Sequence, residues 1–269
     1  MIMSIRVCLA GATGWAGSAL AQGIAKTNDL RLVAAVSRSH AGQQVGVVLN
    51  QPELDCPIFA TAEEALSQPC DVFVEYTKPA VALDNVLKAL ASGAHVVIGT
   101  SGLDDPAYAT INEAALKAQR GVLAVGNFAL TVVLLQKFAT IAARYIPHSE
   151  IIDYASDKKI DAPSGTAREL AYRLGQVRDS AQTVPTEAIV GEQATRGARM
   201  AEQQVHSVRL PGYVISIEAI FGMPDQKLIL RHEAGNGAEP YVDGALLAIR
   251  NVHTFVGLKR GLEHVLDLD

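Results

Sequence analysis

The chain has 269 residues, 49% apolar and 19% charged, with a formal net charge of −5. This length holds one large or two modest domains, with a core that needs no covalent staples. The sequence has no basic block to give the electrostatic footprint of a nucleic-acid binder. Nor does it have an apolar run of the ~18 residues that a membrane span needs, so neither nucleic acid nor membrane is an expected partner.

Cys8, Cys56 and Cys70 are odd in number, widely spaced and free of any CxxC or zinc pattern. They predict a reducing, cytoplasmic setting. The opening residues lack the basic start, long apolar run and small-residue cleavage site of a signal peptide. No His/Asp/Glu cluster has ligand spacing, so no metal is expected.

In chain order, 5–10 is a short apolar β-rich run and predicts a buried strand. Residues 11–17 form a glycine-rich turn, 18–26 a helix and 31–36 a second strand. Residues 45–53 read as loop and 62–67 as a short helix. Strands follow at 71–75, 95–98 and 121–125, separated by helices at 80–92 and 106–120. Strictly alternating strands and helices predict a doubly wound parallel sheet with helices on both faces. Ligands of such sheets gather at the carboxyl ends of the strands. Here those ends carry Gly11 to Gly17, Ser37-Arg38, Tyr76-Thr77, Gly99 to Gly102 and Gly126-Asn127-Phe128.

The pattern changes after Thr131. A helix at 132–144, a strand at 150–154 and a helix at 166–176 precede segments that alternate like antiparallel strands, at 204–209, 213–221 and 226–232. This reads as an α+β substrate domain. A final helix spans 243–256, and the tail 258–268 is amphipathic. The expected fold is therefore α/β: a Rossmann doubly wound parallel sheet plus a second α+β domain for substrate binding and oligomerisation.

Gly11-Ala12-Thr13-Gly14-Trp15-Ala16-Gly17 is GxxGxxG, a relative of the dinucleotide fingerprint. Its glycines permit a tight turn and close approach of backbone to a pyrophosphate, and the next helix aims free N–H groups at the anion. The motif alone is weak, since many glycine turns only join strand to helix. Its place between the first strand and the first helix is the context that the cofactor reading requires. At the end of the second strand, NAD sites favour a carboxylate for the ribose hydroxyls. Here Ser37 and Arg38 stand instead, with no carboxylate to repel a 2′-phosphate. Arg38 suits pairing with that phosphate, predicting NADPH over NADH, with NADH still possible. The plainer reading of Arg38 is a solvated surface arginine.

The most distinctive segment is Lys158-Lys159-Ile160-Asp161-Ala162-Pro163-Ser164-Gly165-Thr166-Ala167. Its hydroxyls and free N–H groups at a helix start form an anion nest, and Lys159 adds charge; together they suit a carboxylate. A simple N-cap needs only one hydroxyl, so the cluster exceeds capping. This run resembles the signature loop of the dihydrodipicolinate reductases. Further similar segments follow in the same order as in that family: Gly11-Ala-Thr-Gly14, Val97-Ile-Gly99-Thr100-Ser101-Gly102, Gly126-Asn127-Phe128, His206-Ser-Val-Arg209, and a tail with Gly257, Glu263 and Asp267.

The resemblance implies a pyridine-ring dicarboxylate substrate and hydride delivery from nicotinamide C4. It implies that Ser164, Gly165 and Thr166 bind a carboxylate, and that Lys159 binds substrate and assists proton transfer. The cofactor would lie against Gly11 to Ala16, Ser37, Arg38, Thr77, Gly99, Thr100, Ser101 and Val125, Gly126, Asn127 and Phe128. The implied dinucleotide domain is 1–128 with 240–269, and 129–239 is the substrate-binding and oligomerisation domain, assembling as a homotetramer.

The sequence departs from that family on the substrate side. Ala155 and Ser156 occupy the positions of a His-His pair, one of which serves as proton donor. Alanine donates nothing, and Ser156 offers the substrate only a hydroxyl. The Asn127-Phe128 turn continues as Ala129-Leu130-Thr131-Val132 rather than Ser-x-Gly-Val, and Gly235-Asn236-Gly237 replaces Ser-Ser-Arg. Three readings follow: the parent reaction with Lys159 or water supplying the proton, reduction of another imine or imino acid, or a non-catalytic NADPH sensor. The intact lysine and anion nest favour the first two. Asp153, His206 and His232 are alternative acids, each with a structural role as the commoner reading. His95, at the start of a core strand, reads as structural.

Overall fold

The computed structural model describes residues 4–267. Taken in order, the elements are β1 (Ile5–Ala10), α1 (Trp15–Ala25), β2 (Leu30–Val36), α2 (Val45–Leu49), β3 (Ile58–Phe59), α3 (Ala62–Ala65), β4 (Val72–Glu75), α4 (Pro79–Ala91), β5 (His95–Ile98), α5 (Asp105–Ala118) and β6 (Gly121–Ala124). They continue with α6 (Leu130–Tyr145), β7 (His148–Ala155), α7 (Gly165–Gly175), β8 (Ala198–Met200), β9 (Gln203–Arg209), β10 (Ile215–Met223), β11 (Gln226–Ala234), α8 (Val242–Asn251) and β12 (Gly257–Arg260). The chain divides into two compact units, residues 1–130 with 238–269, and residues 131–237.

The first unit is built on a sheet of order β12-β6-β5-β4-β1-β2-β3, every pair parallel. Its inner strands are apolar on both faces because helices cover both. Val7, Cys8, Leu9, Val74, Val96, Val97, Val122 and Leu123 have no measurable exposure. The chain leaves β1 toward β2 on one side and returns to β4 on the other, so the switch point lies between the ends of β1 and β4.

Two strands of this sheet were not expected. β3 has only two residues, and β12 lies in the tail read as amphipathic, pairing with β6 from Gly257 opposite Gly121 to Arg260 opposite Ala124. The expected loop at 45–53 begins with the short helix α2, ended by Asn50 in the left-handed region (φ 54). The final helix stops at Asn251 and gives way to a 3-10 turn, Val252–Thr254.

The second unit carries a sheet of order β11-β10-β7-β9-β8. It is mixed rather than antiparallel, because β7 and β9 run parallel. α6 and α7 cover one face, contributing Leu135, Ala139, Leu170 and Leu174 to a core shared with Ile151, Val205, Ile217 and Phe221. The outward residues of β7 alternate with these buried ones, as a sheet covered on one face requires.

Candidate active site

The turn after β1 owes its shape to its glycines. Gly11 has φ +85, and a Cβ there would lie 2.4 Å from the Tyr76 carbonyl oxygen. A Cβ on Gly17 would lie 2.0 Å from the Gly11 carbonyl oxygen, so this glycine lets α1 start tight against the turn. Gly14 caps α1 without a side-chain hydrogen bond, and the first turn contains no acidic residue. The helix thus presents backbone N–H groups and the positive end of its dipole where an anion would bind.

A cavity of about 280 Å³ opens beside this turn. Trp15, Ala16, Tyr76, Thr77, Gly99, Thr100, Ser101 and Val125 to Phe128 line it. Thus most of the predicted cofactor residues come together in the first unit. Thr13 and Ser37 sit at the β2 side, their hydroxyls 2.8 Å apart. Arg38 is exposed in a short 3-10 turn and makes no ion pair or hydrogen bond among the described residues. Ala12 is fully buried and presents no surface to the cavity.

The fit to a dinucleotide rests on three features of the lining. The α1 N–H groups suit a pyrophosphate. Gly126 has nothing within 4 Å of the place its Cβ would take. The Tyr76 hydroxyl is buried without a hydrogen-bond partner among the described residues. Tyr76 packs on Phe128 with ring centroids 5.5 Å apart, and burial pushes its phenol well above the usual range.

Beneath this lining lies Glu75, the last residue of β4 and a carboxylate with no exposed surface. Its Oε1 accepts hydrogen bonds from the Thr77 backbone N–H (2.7 Å), the Thr77 hydroxyl and the Thr100 hydroxyl (3.2 Å). Its Oε2 accepts from Asn85 Nδ2 at 2.8 Å. Burial raises the proton affinity of Glu75, and the donors oppose that shift.

In the second unit, the loop between β7 and α7 gathers the predicted substrate residues. Ser164 caps α7, its hydroxyl accepting from the Ala167 N–H at 3.2 Å. Gly165 is exposed and Thr166 half-buried behind it, so the helix start is open to solvent. Lys159 Nζ lies 2.7 Å from Asp161 Oδ1, both partly exposed, and this pairing holds the Asp161 carboxyl below its ordinary range. The positive charge read from the sequence is therefore already partnered by Asp161. Ala155 is buried, and the Ser156 hydroxyl is spent locally, donating to Asp157 Oδ1 at 3.1 Å and accepting from the Lys158 N–H at 3.3 Å.

The alternative acids are all engaged. Asp153 is 1% exposed, ion-paired to Arg209 at 2.7 Å, and accepts from the Ser164 N–H at 2.8 Å. It holds the loop from below, which is the supporting role weighed for it. His206 bonds Glu150 at 2.7 Å. His232 Nδ1 lies 2.8 Å from the Thr131 hydroxyl, and burial lowers its proton affinity. In the first unit, His95 Nδ1 accepts from the Gly121 N–H at 2.9 Å. Arg209 was visible only as part of a family-like segment. In the structure it bonds the Asp161 carbonyl at 2.8 Å as well as Asp153, tying two strands to the loop. Among the described residues no group of three or more His, Cys, Asp or Glu could hold a metal ion.

Comparison with known proteins gives the family. Residues 5–128 match the family model described as dihydrodipicolinate reductase, N-terminus, and residues 131–266 the one described as its C-terminus. The 4-hydroxy-tetrahydrodipicolinate reductase of Thermosynechococcus vestitus is 37% identical over 99% of this chain and 98% of its own length. That of Oceanobacillus iheyensis is 35% identical over 98% of this chain and 100% of its own. A dipicolinate-bound dihydrodipicolinate reductase from Paenisporosarcina sp. TG-14 superposes with a TM-score of 0.87 at 30% identity, covering 98% of this chain and 100% of that one. The chain belongs to the dihydrodipicolinate reductase family, whose members are NAD(P)H-dependent oxidoreductases.

Proposed function

We propose that the protein is an NADPH-dependent reductase of a cyclic imine or enamine dicarboxylate, with 4-hydroxy-tetrahydrodipicolinate, the compound in its relatives' names, as the first substrate to test. The observation that carries this reading is the loop at 156–166, where Lys159 and the open start of α7 offer a carboxylate a cation and free N–H groups together. Arg38, unpaired beside Ser37, supports the phosphorylated cofactor. With the adenosine half at Ser37 and Arg38 and the pyrophosphate at Gly11 to Ala16, the nicotinamide half is left to Thr77, Gly99 to Ser101 and Val125 to Phe128.

The bound cofactor supplies a hydride. The hydride would add to a carbon of the ring C=N bond or, once the 4-hydroxyl has left as water, of the conjugated C=C bond, and a proton would add to the other end of the reduced system. Lys159 anchors the substrate by exchanging Asp161 for the substrate carboxylate. It also polarises the bond and assists delivery of the proton. Gly165 and Thr166 hold the second contact through their backbone N–H groups, with the Ser164 and Thr166 hydroxyls beside them. With Ala155 and Ser156 at the His-His positions, the proton comes from Lys159 or from water. Loss of a dedicated acid slows such a step by ~10²–10⁴-fold rather than abolishing it.

A spectrophotometric assay decides between the readings. Turnover of the parent substrate with NADPH oxidation supports this one. Turnover only of other cyclic imino acids, offered as a panel, favours a paralogue with a different substrate. Binding of NADPH with no reduction of any of them favours a sensor.

A homotetramer built through the second unit's sheet accompanies this reading. Its edge strand β11 exposes Leu228 and Ile229, at 41% and 47%. Light scattering on the purified protein tests the assembly. A reducing cytoplasmic location fits Cys8, Cys56 and Cys70, all free thiols.

A further inference from the structure

We propose that Glu75 is an electrostatic positioning residue that favours the oxidised, cationic nicotinamide and so helps the cofactor give up its hydride. This rests on the cofactor reading above. Glu75 has no exposed surface, and among the described residues no lysine, arginine or histidine pairs with it. An isolated buried carboxylate is costly unless a cation or several donors compensate it. Donors are present on both oxygens: the Thr77 N–H on Oε1 and the Asn85 amide on Oε2 can only donate. They favour the ionised form against the burial that raises the proton affinity of Glu75.

A structural carboxylate would be satisfied by these bonds alone. Glu75, however, sits directly beneath residues that line the cavity. Thr77 and Thr100 both bond its Oε1, and its own backbone carbonyl takes the Gly99 and Thr100 N–H groups at 3.0 and 3.2 Å. The same residue thus fixes the lining at Thr77, Gly99 and Thr100 and places a negative charge behind it. A nicotinamide held at this lining would be neutral when reduced and cationic once it had given up its hydride. A fixed anion behind the lining would stabilise the cationic form, with no reorganisation needed.

The test compares affinities for the two redox forms. NADPH binding is followed by its fluorescence and NADP⁺ binding by calorimetry, with NADH and NAD⁺ run in parallel, for wild type, Glu75→Gln, Glu75→Asn and Glu75→Asp. Each variant's fold is first verified by circular dichroism. Either neutral variant that folds should weaken the oxidised form relative to the reduced form by ~10-fold, which for a two-electron couple is about 30 mV in the bound potential. Glu75→Asp, which keeps the charge, should hold the wild-type ratio even if both affinities fall. A ratio unchanged in the neutral variants, or shifted equally in Glu75→Asp, overturns the proposal. If wild type binds no dinucleotide, it is the underlying cofactor reading that fails.

Discussion

The buried Asp153 and the half-buried Arg209 form an ion pair, Oδ2 to Nη2 at 2.7 Å, and the same carboxylate oxygen receives the Ser164 N–H at the start of α7. The pair joins neighbouring strands β7 and β9, where Asp153 stands opposite Ser207, to the loop that carries Lys159. Removing Asp153 leaves the half-buried Arg209 guanidinium without its anion, though still bonded to the Asp161 carbonyl, and leaves the Ser164 N–H without its acceptor, a loss of about 1–3 kcal/mol. Asp153→Ala should therefore lower the denaturation midpoint markedly and raise KM for the dicarboxylate. A variant as stable and as active as wild type would show that the pair is incidental.

Lys159→Ala should reduce kcat/KM for the dicarboxylate by ~10²-fold or more while leaving NADPH affinity unchanged. Asp161→Asn acts in the opposite sense on binding, because it removes the anion that now occupies the lysine. Its KM should fall several-fold. Steady-state kinetics on the two variants checks both directions, and a rise in KM for Asp161→Asn would mean that Asp161 positions the lysine rather than competing for it.

Arg38→Ala should lower the affinity for NADPH by ~10-fold, the scale of a charge-assisted hydrogen bond to phosphate, with little change for NADH. Fluorescence titration with both cofactors measures the ratio. Gly126→Val is a companion on the opposite side of the site. Its Cβ meets nothing within 4 Å, so the melting temperature should hold while dinucleotide binding weakens. Gly17→Ala, whose Cβ would strike the Gly11 carbonyl, should instead lower the melting temperature.

His232 is buried against Thr131, and burial depresses its affinity for protons. The unfolded chain then binds more protons than the folded one below the ordinary histidine value of 6.5. Stability contributed by the neutral imidazole is complete above that value and is lost as pH falls toward the depressed one. His95 shifts the same way, for the same leading cause. Urea denaturation between pH 5 and 7.5, at about half-unit steps, should show falling stability toward acid, with a shallower slope in His232→Gln. An identical slope in that variant would remove His232 from the account.

How much of this could be read in advance follows from how local each determinant is. Gly11, Gly14 and Gly17 act within one turn, and Ser164 caps a helix that begins at the next residue, so both sites leave a mark on contiguous sequence. β12 has four residues, and its partner β6 lies over 130 positions earlier, so nothing near Gly257 announces a strand. α2 was hidden because Gly46 sits inside it and only five residues carry it. That glycine is needed because a Cβ would press on the Gln51 and Leu54 carbonyls. Glu75 looks like any polar residue ending an apolar strand. Its burial depends on Asn85 and Thr100, 10 and 25 residues away. Lys159 was legible as a charge, whereas its partner Asp161 required the folded loop.

Hydride transfer to a cyclic dicarboxylate is the reaction on which the proposed function stands or falls. Its most direct test is incubation of the enzyme with 4-hydroxy-tetrahydrodipicolinate and NADPH carrying deuterium at both C4 positions, with mass spectrometry of the product. One deuterium is expected on a ring carbon of the reduced product, with strongly diminished incorporation by Lys159→Ala. Unlabelled product, or no reduction by wild type that binds NADPH, would contradict it.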